Sequence, residues 1–238
     1  MSDWKSPLST PIHWLAVTAL SFGLVFAGVP AQADEDNEVP EGMERLEIDL
    51  PSPSYVGSPF DYWSEHIVEI PGDQRHDVNV PAGSTNLALG KPVTASAEAR
   101  FNELEDIVNG EKAYDLDYVV ELPSGPQWVQ IDLEQEAEIH AIALWHFFES
   151  ERVYFDVVVA VSNDPEFEED VHVVFSNDYE NVHGLGEGED HQYIEDHYGF
   201  VFTADGVQGR YVRLYSNGND WDARNHYIEA EVYGLPVE

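Results

Sequence analysis

The sequence predicts an all-β fold, either two packed antiparallel sheets or a closed barrel, and three observations carry that prediction. Some segments alternate apolar and polar residues, as in Trp128-Val129-Gln130-Ile131-Asp132-Leu133. Others are dense in β-branched and aromatic side chains, above all Val153 to Val161. Turn chemistry separates them at Ser162-Asn163-Asp164-Pro165, Asp205-Gly206 and Asn217-Gly218-Asn219-Asp220, and no stretch sustains a helical period.

Residues 1–33 read as an export leader. Lys5 precedes an apolar run from Trp14 to Val29, shorter than a membrane span, and Ala31-Gln32-Ala33 offers a small-x-small cleavage pattern. An uncleaved N-terminal anchor is the alternative. Residues 34–45 are acidic and poor in apolar side chains, which predicts a disordered tether. Residues 46–85 begin with a strand-like alternation, Leu46 to Leu50, then meet Pro51, Pro53, Gly57 and Pro59. Too short for a core of their own, they are expected to lie over the main domain as an extended, aromatic-anchored arm, with a plain linker the alternative around Gly72 to Gly83.

The main domain occupies residues 86–238. Its opening, Asn86-Leu87-Ala88-Leu89-Gly90-Lys91-Pro92, lets the chain bend at Gly90 and fixes φ at Pro92 before the first strand. Strands follow at Trp128–Leu133, Ile139–Trp145, Val153–Val161, Val171–Phe175, Gly199–Phe202 and Tyr211–Tyr215, and the last runs from Tyr227 to Gly234.

Ten basic residues face 47 acidic ones, a formal charge of −37. Such a surface repels phosphate backbones and anionic membranes, so neither nucleic acid nor an anionic bilayer is an expected partner. There are no cysteines, which removes disulfides and thiolate metal sites, so an exported chain must rely on core burial. Serine-nucleophile, Walker and dinucleotide glycine patterns are absent.

Five blocks, in order, carry a resemblance: Asn86 to Ser96, Ile107-Val108-Asn109-Gly110, Gln127 to Leu133, Gly209-Arg210-Tyr211-Val212-Arg213-Leu214, and Glu229 to Gly234. Together they make the chain similar to the discoidin family, also called the coagulation factor V/VIII type C domain. The resemblance implies a galactose-binding-like jelly-roll β-sandwich and a non-catalytic binding role. Tyr215 to Asn219 and Asn225 to Glu229 extend the likeness to exported bacterial members of unassigned activity. The animal branch ties its ends with cysteines and binds anionic lipid through apolar spikes ringed by basic residues. This chain has neither, which turns the expectation toward carbohydrate.

The resemblance also implies a structural calcium. Asn109 stands where the family loop commonly has aspartate, Glu229 matches a last-strand glutamate, and Asp106, Asp115 and Asp117 lie near enough in sequence to help. Ordinary solvated acids are the other reading. For ligand binding the expected site is the Asn217 to His226 loop, where Trp221 stacks on a sugar and Arg224 and Asn225 bind its hydroxyls. His146 and Arg152, beside Phe147 and Phe148, are expected at the same rim. The alternative reading is that Trp221 caps the sandwich end and that Arg224 pairs with neighbouring acids. Trp128 and Trp145, inside strands, are expected in the core. The expected function is an exported binding module for a carbohydrate, neutral in view of the protein's charge. The alternative is a structural or adhesion protein docking a cell-surface protein.

Overall fold

The computed structural model describes residues 39–53, 62–68, 76–113, 117–149 and 151–237. The expected leader and residues 34–38 of the expected tether therefore lie outside the described residues. What is described is almost entirely strand: β1 (Met43–Arg45), β2 (Ile67–Val68), β3 (Asn79–Pro81), β4 (Thr85–Asn86), β5 (Val93–Ala95), β6 (Val120–Leu122), β7 (Gln127–His146), β8 (Val158–Ser162), β9 (His172–Ser176), β10 (Gln192–Tyr193), β11 (Phe200–Ser216) and β12 (Asn225–Pro236). A single 3₁₀ turn, Leu104–Val108, is the helical element among the described residues.

Two long strands build both layers of the sandwich. The first half of β7 pairs with β5 and with the second half of β11, and β8 and β9 extend that layer. The second half of β7 pairs with the first half of β11 and with β12, whose other edge takes β4 and β6. The chain turns between layers where Glu134 adopts φ 64° on β7 and where Asp205 (φ 51°) and Gly206 (φ 79°) break register on β11. Residues whose pairing slips at a bulge let one strand change sheet. The expected strands 128–133 and 139–145 are thus one strand, and so are 199–202 and 211–215.

A second slip, where Tyr233 and Gly234 of β12 face Ala141 and Ile139, changes which side chains of β7 point inward. Val129, Ile131, Leu133, Ala137 and Ile139 enter the central core, and then Ile142 and Leu144 do. Ala141, Ala143 and Trp145 point outward instead, and they too are fully buried. The arm is what covers them. Leu46 and Val80 join Trp145, Phe147, Phe148 and Ile228 in that outer cluster, with β1 paired to β3 above it.

The arm's regular structure is shifted from expectation. Leu46 to Leu50 is not a strand; Leu46 bonds Val78 O through its amide (2.8 Å), while Met43–Arg45, at the end of the expected tether, forms β1. Pairing with Asn79–Pro81 compensates the polar sequence there. Farther on, Tyr62 Oη donates to Gln192 (3.2 Å) and β2 pairs in parallel with β10. Lys112 fastens arm to sandwich: its Nζ donates to Asp49 O (2.8 Å), pairs with Glu231 (2.7 Å) and stands 4.7 Å from the Trp145 ring centre. The segment expected as a strand from Val153 is extended only from Val158; residues 153–157 belong to a loop at the sandwich end.

Candidate functional site: a rim cleft beneath Trp221

The loop from Asn217 to Arg224 joins β11 to β12 and holds itself in shape. Asn219 Oδ1 accepts from the amides of Trp221 (2.9 Å) and Asp222 (3.1 Å), and its Nδ2 donates to Arg224 O (3.0 Å). Asp222 Oδ1 accepts from the Arg224 amide (2.8 Å). Gly218 needs φ 78°, and a Cβ there would press on the Ala223 backbone at 3.0 Å. Asparagine and aspartate side chains bonding amides two or three residues on are what make such a turn rigid.

The β7–β8 loop is laced to it. Val153 N donates to Asp220 Oδ1 (2.8 Å), Asp220 N to Val153 O (3.1 Å) and Phe155 N to Gly218 O (3.0 Å). The two loops therefore form one platform. Trp221 stands on it with 57% of its surface exposed. Beside it the Arg152 guanidinium lies 5.4 Å from the Trp221 ring centre and 4.8 Å from that of Phe147, an aromatic–cation–aromatic stack.

Below the platform opens a cavity of about 280 Å³, walled by Phe101, Glu121, Phe147, Arg152, Asp222 and His226, with Val119 and Glu149. Glu121, on β6, is its electrostatic hub. It accepts from Arg100 Nη1 (2.8 Å) and Arg224 Nη1 (3.3 Å) and faces His226 Nε2 (3.3 Å). Its side chain is only 6% exposed.

Of the five expected ligand residues, Arg152 lines this cavity, Trp221 stands beside it against Arg152, and Arg224 reaches its wall at Glu121. His146 and Asn225 lie beneath it. Asn225 is fully buried because its amide ties four groups: Oδ1 accepts from Ser216 Oγ and the Gly218 amide (both 2.8 Å), while Nδ2 donates to Pro123 O (2.8 Å) and Gly125 O (3.0 Å). It shapes the loop from behind. His146 is also fully buried, stacked on Tyr154 at 4.1 Å with Nδ1 3.1 Å from Glu195 Oε2. Burial, and secondarily the neighbouring His226, push its pKa down to about 3. It is a neutral core residue. Trp145 is core as expected, its Nε1 donating to His197 O (3.2 Å), whereas Trp128 is half-buried against the Arg213 guanidinium at 4.2 Å.

Sequence reading missed Arg100, Phe101 and Glu121. The signal available was Arg100-Phe101, a cation–aromatic pair in an acidic chain; the position of Glu121 depends on β6 pairing with β12 (His226 opposite Glu121).

The expected calcium ligands Asp106, Asn109 and Glu229 border one loop, where their side-chain oxygens accept from neighbouring N–H groups. Asp106 Oδ2 accepts from the Glu103 amide and Oδ1 from Asn109 Nδ2 (both 3.1 Å), while Asn109 Oδ1 takes the Glu111 amide (2.7 Å). Asp117 is exposed and Asp115 lies outside the described residues. Glu229 is buried against the same loop, both oxygens on the Gly110 amide at 3.1 Å. Burial, against that hydrogen bond and with Glu231 nearby, raises its pKa to about 9, so it is held as a neutral acid. Among the described residues no three His, Asp or Glu side chains group as a metal site. The cation at this end of β12 is the Lys112 ammonium on Glu231. Asp106 and Asn109 thus spend oxygens on neighbouring amides, whereas calcium takes six to eight oxygens.

No family model matches the sequence, and no curated protein matches it. Solved structures do. The family 89 glycoside hydrolase of Clostridium perfringens, in complex with GlcNAc-α-1,4-galactose, aligns at 19% identity and TM-score 0.48 over 64% of this chain and 15% of that one. A Streptococcus pneumoniae fucose binding module aligns at 18% identity and TM-score 0.44, over 63% of this chain and 98% of that one. CpGH89CBM32-4 from Clostridium perfringens, also in complex with GlcNAc-α-1,4-galactose, aligns at 18% and 0.44, over 65% and 97%. This chain spans about 15% of the length of the glycosidase it matches. Likeness at this distance says nothing of ligand or activity.

Two outcomes follow from the site. Thermal melts with and without a chelator in dilute buffer should share one midpoint; a drop of several degrees on chelation would mean that the described donors do bind metal. The second outcome concerns His146, whose proton affinity rises on unfolding from about 3 to the ordinary 6.5. The unfolded chain then binds more protons, so the stability is fully present above pH 6.5 and drains away as pH falls toward 3. The loss is up to about 1.4 kcal/mol per pH unit for this group. Denaturant midpoints across that window should slope less in His146→Phe than in the parent, and an identical slope would contradict the buried neutral imidazole.

Proposed function

We propose that this chain is an exported, non-catalytic binding module that takes carbohydrate in the rim cleft. The observation that supports this most is Trp221. A half-exposed indole held on a hydrogen-bonded loop, beside a cavity that mixes aromatic walls with charged side chains, is the arrangement a sugar ring needs: an apolar face to stack on and fixed polar groups to meet its hydroxyls. The cavity is smaller than a drug-sized pocket, which suits one sugar ring at the end of a chain. Glu121 and Asp222 are both committed to pairings within the protein, so neither is poised as a general acid or nucleophile. The export part of the reading rests on the leader at residues 1–33, and it suits an acidic chain without cysteine.

A second reading, adhesion through a protein partner at the cell surface, draws on Trp63 of the arm, which exposes 81% of its surface. A glycan array and Trp221→Ala together separate the two. On the carbohydrate reading the array finds ligands and Trp221→Ala weakens their binding at least about tenfold, the scale of one lost aromatic contact, while the melting midpoint stays within about a degree. An array without any ligand, alongside a specific protein partner sensitive to Trp63, would favour the second.

A further inference from the structure

The protein's overall charge argues for a neutral glycan, but the charges at the cleft are arranged differently from those elsewhere. Among the described residues, other basic side chains have partners of their own: Arg45 with Asp77, Lys91 with Glu134, Lys112 with Glu231, and Arg210 with both oxygens of Asp132. At the cleft, two arginines share one acid. Arg100 and Arg224 each commit a single Nη1–H to Glu121, with their side chains 48% and 45% exposed. A guanidinium carries five N–H donors in a planar fork, so each keeps most of its donors available toward solvent at the same place. Arg152 adds a third cation on the cavity wall. Three of the chain's ten basic residues thus meet around one cavity.

The opposing acids are three, Glu121, Asp222 and Glu149, and all of them line the cavity. Glu121 sits behind the arginines it joins, and Asp222 Oδ1 turns to its own loop amide. The cleft is therefore a neutral opening, with half-used guanidiniums at its edge, on a surface that is otherwise strongly negative. Long-range repulsion fades within about 8 Å at physiological salt, whereas charged hydrogen bonds act at contact.

We propose that the ligand of this cleft is an acidic sugar, a uronic acid or sulfated residue whose anionic group is received by Arg100 and Arg224 while its ring lies against Trp221. This rests on the carbohydrate reading and sharpens it. The test uses matched polysaccharides: polygalacturonate, alginate and hyaluronan beside their carboxyl-reduced forms, and a sulfated galactan beside its desulfated form. Each is titrated into the full mature chain by calorimetry. At least one acidic member should bind about tenfold or more tighter than its neutral partner, the worth of one or more charged hydrogen bonds. The Arg100→Gln, Arg224→Gln double variant should bring its affinity down to that of the neutral partner, and Glu149→Gln should raise it. Neutral partners bound equally or better would overturn the acidic assignment and leave the carbohydrate reading standing. If no member of any pair bound and a broad glycan array were blank, both would fall.

Discussion

The antiparallel pairing of β7 with β11 runs through both layers of the sandwich, and everything at its ends depends on those two strands staying together. Thirteen residue pairs, from Phe200 opposite Leu144 to Ser216 opposite Gln127, with register slips between Thr203 and Val207 and between Gly209 and Tyr211, make the two sheets one folded ladder. Glu134, Asp205 and Gly206 accept left-handed backbone where the ladder turns, so both strands bend together. One end of this frame is where β7 stops, β12 starts and β6 joins. The loops there are consequently anchored on three paired strands rather than hung from one.

This anchoring is what pre-organises the cleft for the binding role proposed for it. Asn225, fully buried and bonded four ways, locks the loop base; Asn219 and Asp222 lock its crest. The conformational cost of ordering these residues is met in folding, so a ligand does not have to meet it on binding. His146 and Tyr154 pack directly beneath, and their stack keeps the platform dry from below. The electrostatics follow the same logic. A deep acid, Glu121, takes one N–H from each of two arginines, which leaves the rest of their donors for the anion of the proposed ligand.

The frame was legible in the sequence because alternation and β-branching are local signals. Ile139 to Trp145 is apolar at every position but His140, which requires both faces covered, and the arm with Leu46 and Val80 supplies the second cover. Strand ends were less legible: sequence reading breaks β7 at Leu133, yet a positive φ at Glu134 carries the strand onward. The site was half legible. A tryptophan among Asn, Asp and Arg marks a loop that displays it, and Arg152 and Arg224 fell where expected. His146 and Asn225 did not, because polarity alone cannot separate a residue that meets ligand from one that satisfies the loop's own amides. Glu121 could not be found at all without the β6–β12 register. The local role of the expected calcium loop was equally hidden: Asp106 and Asn109 use side-chain oxygens to cap a 3₁₀ turn and its exit.

The most direct measurement is a ¹⁵N-NMR titration of the mature chain with whichever glycan binds, following the indole N–H groups and the loop amides. The account predicts that the Trp221 indole and the amides of residues 217–224 shift with saturation, while the Trp145 indole, bonded to His197 O, stays still. Saturable shifts confined to the arm, or to the opposite end of the sandwich, would contradict it.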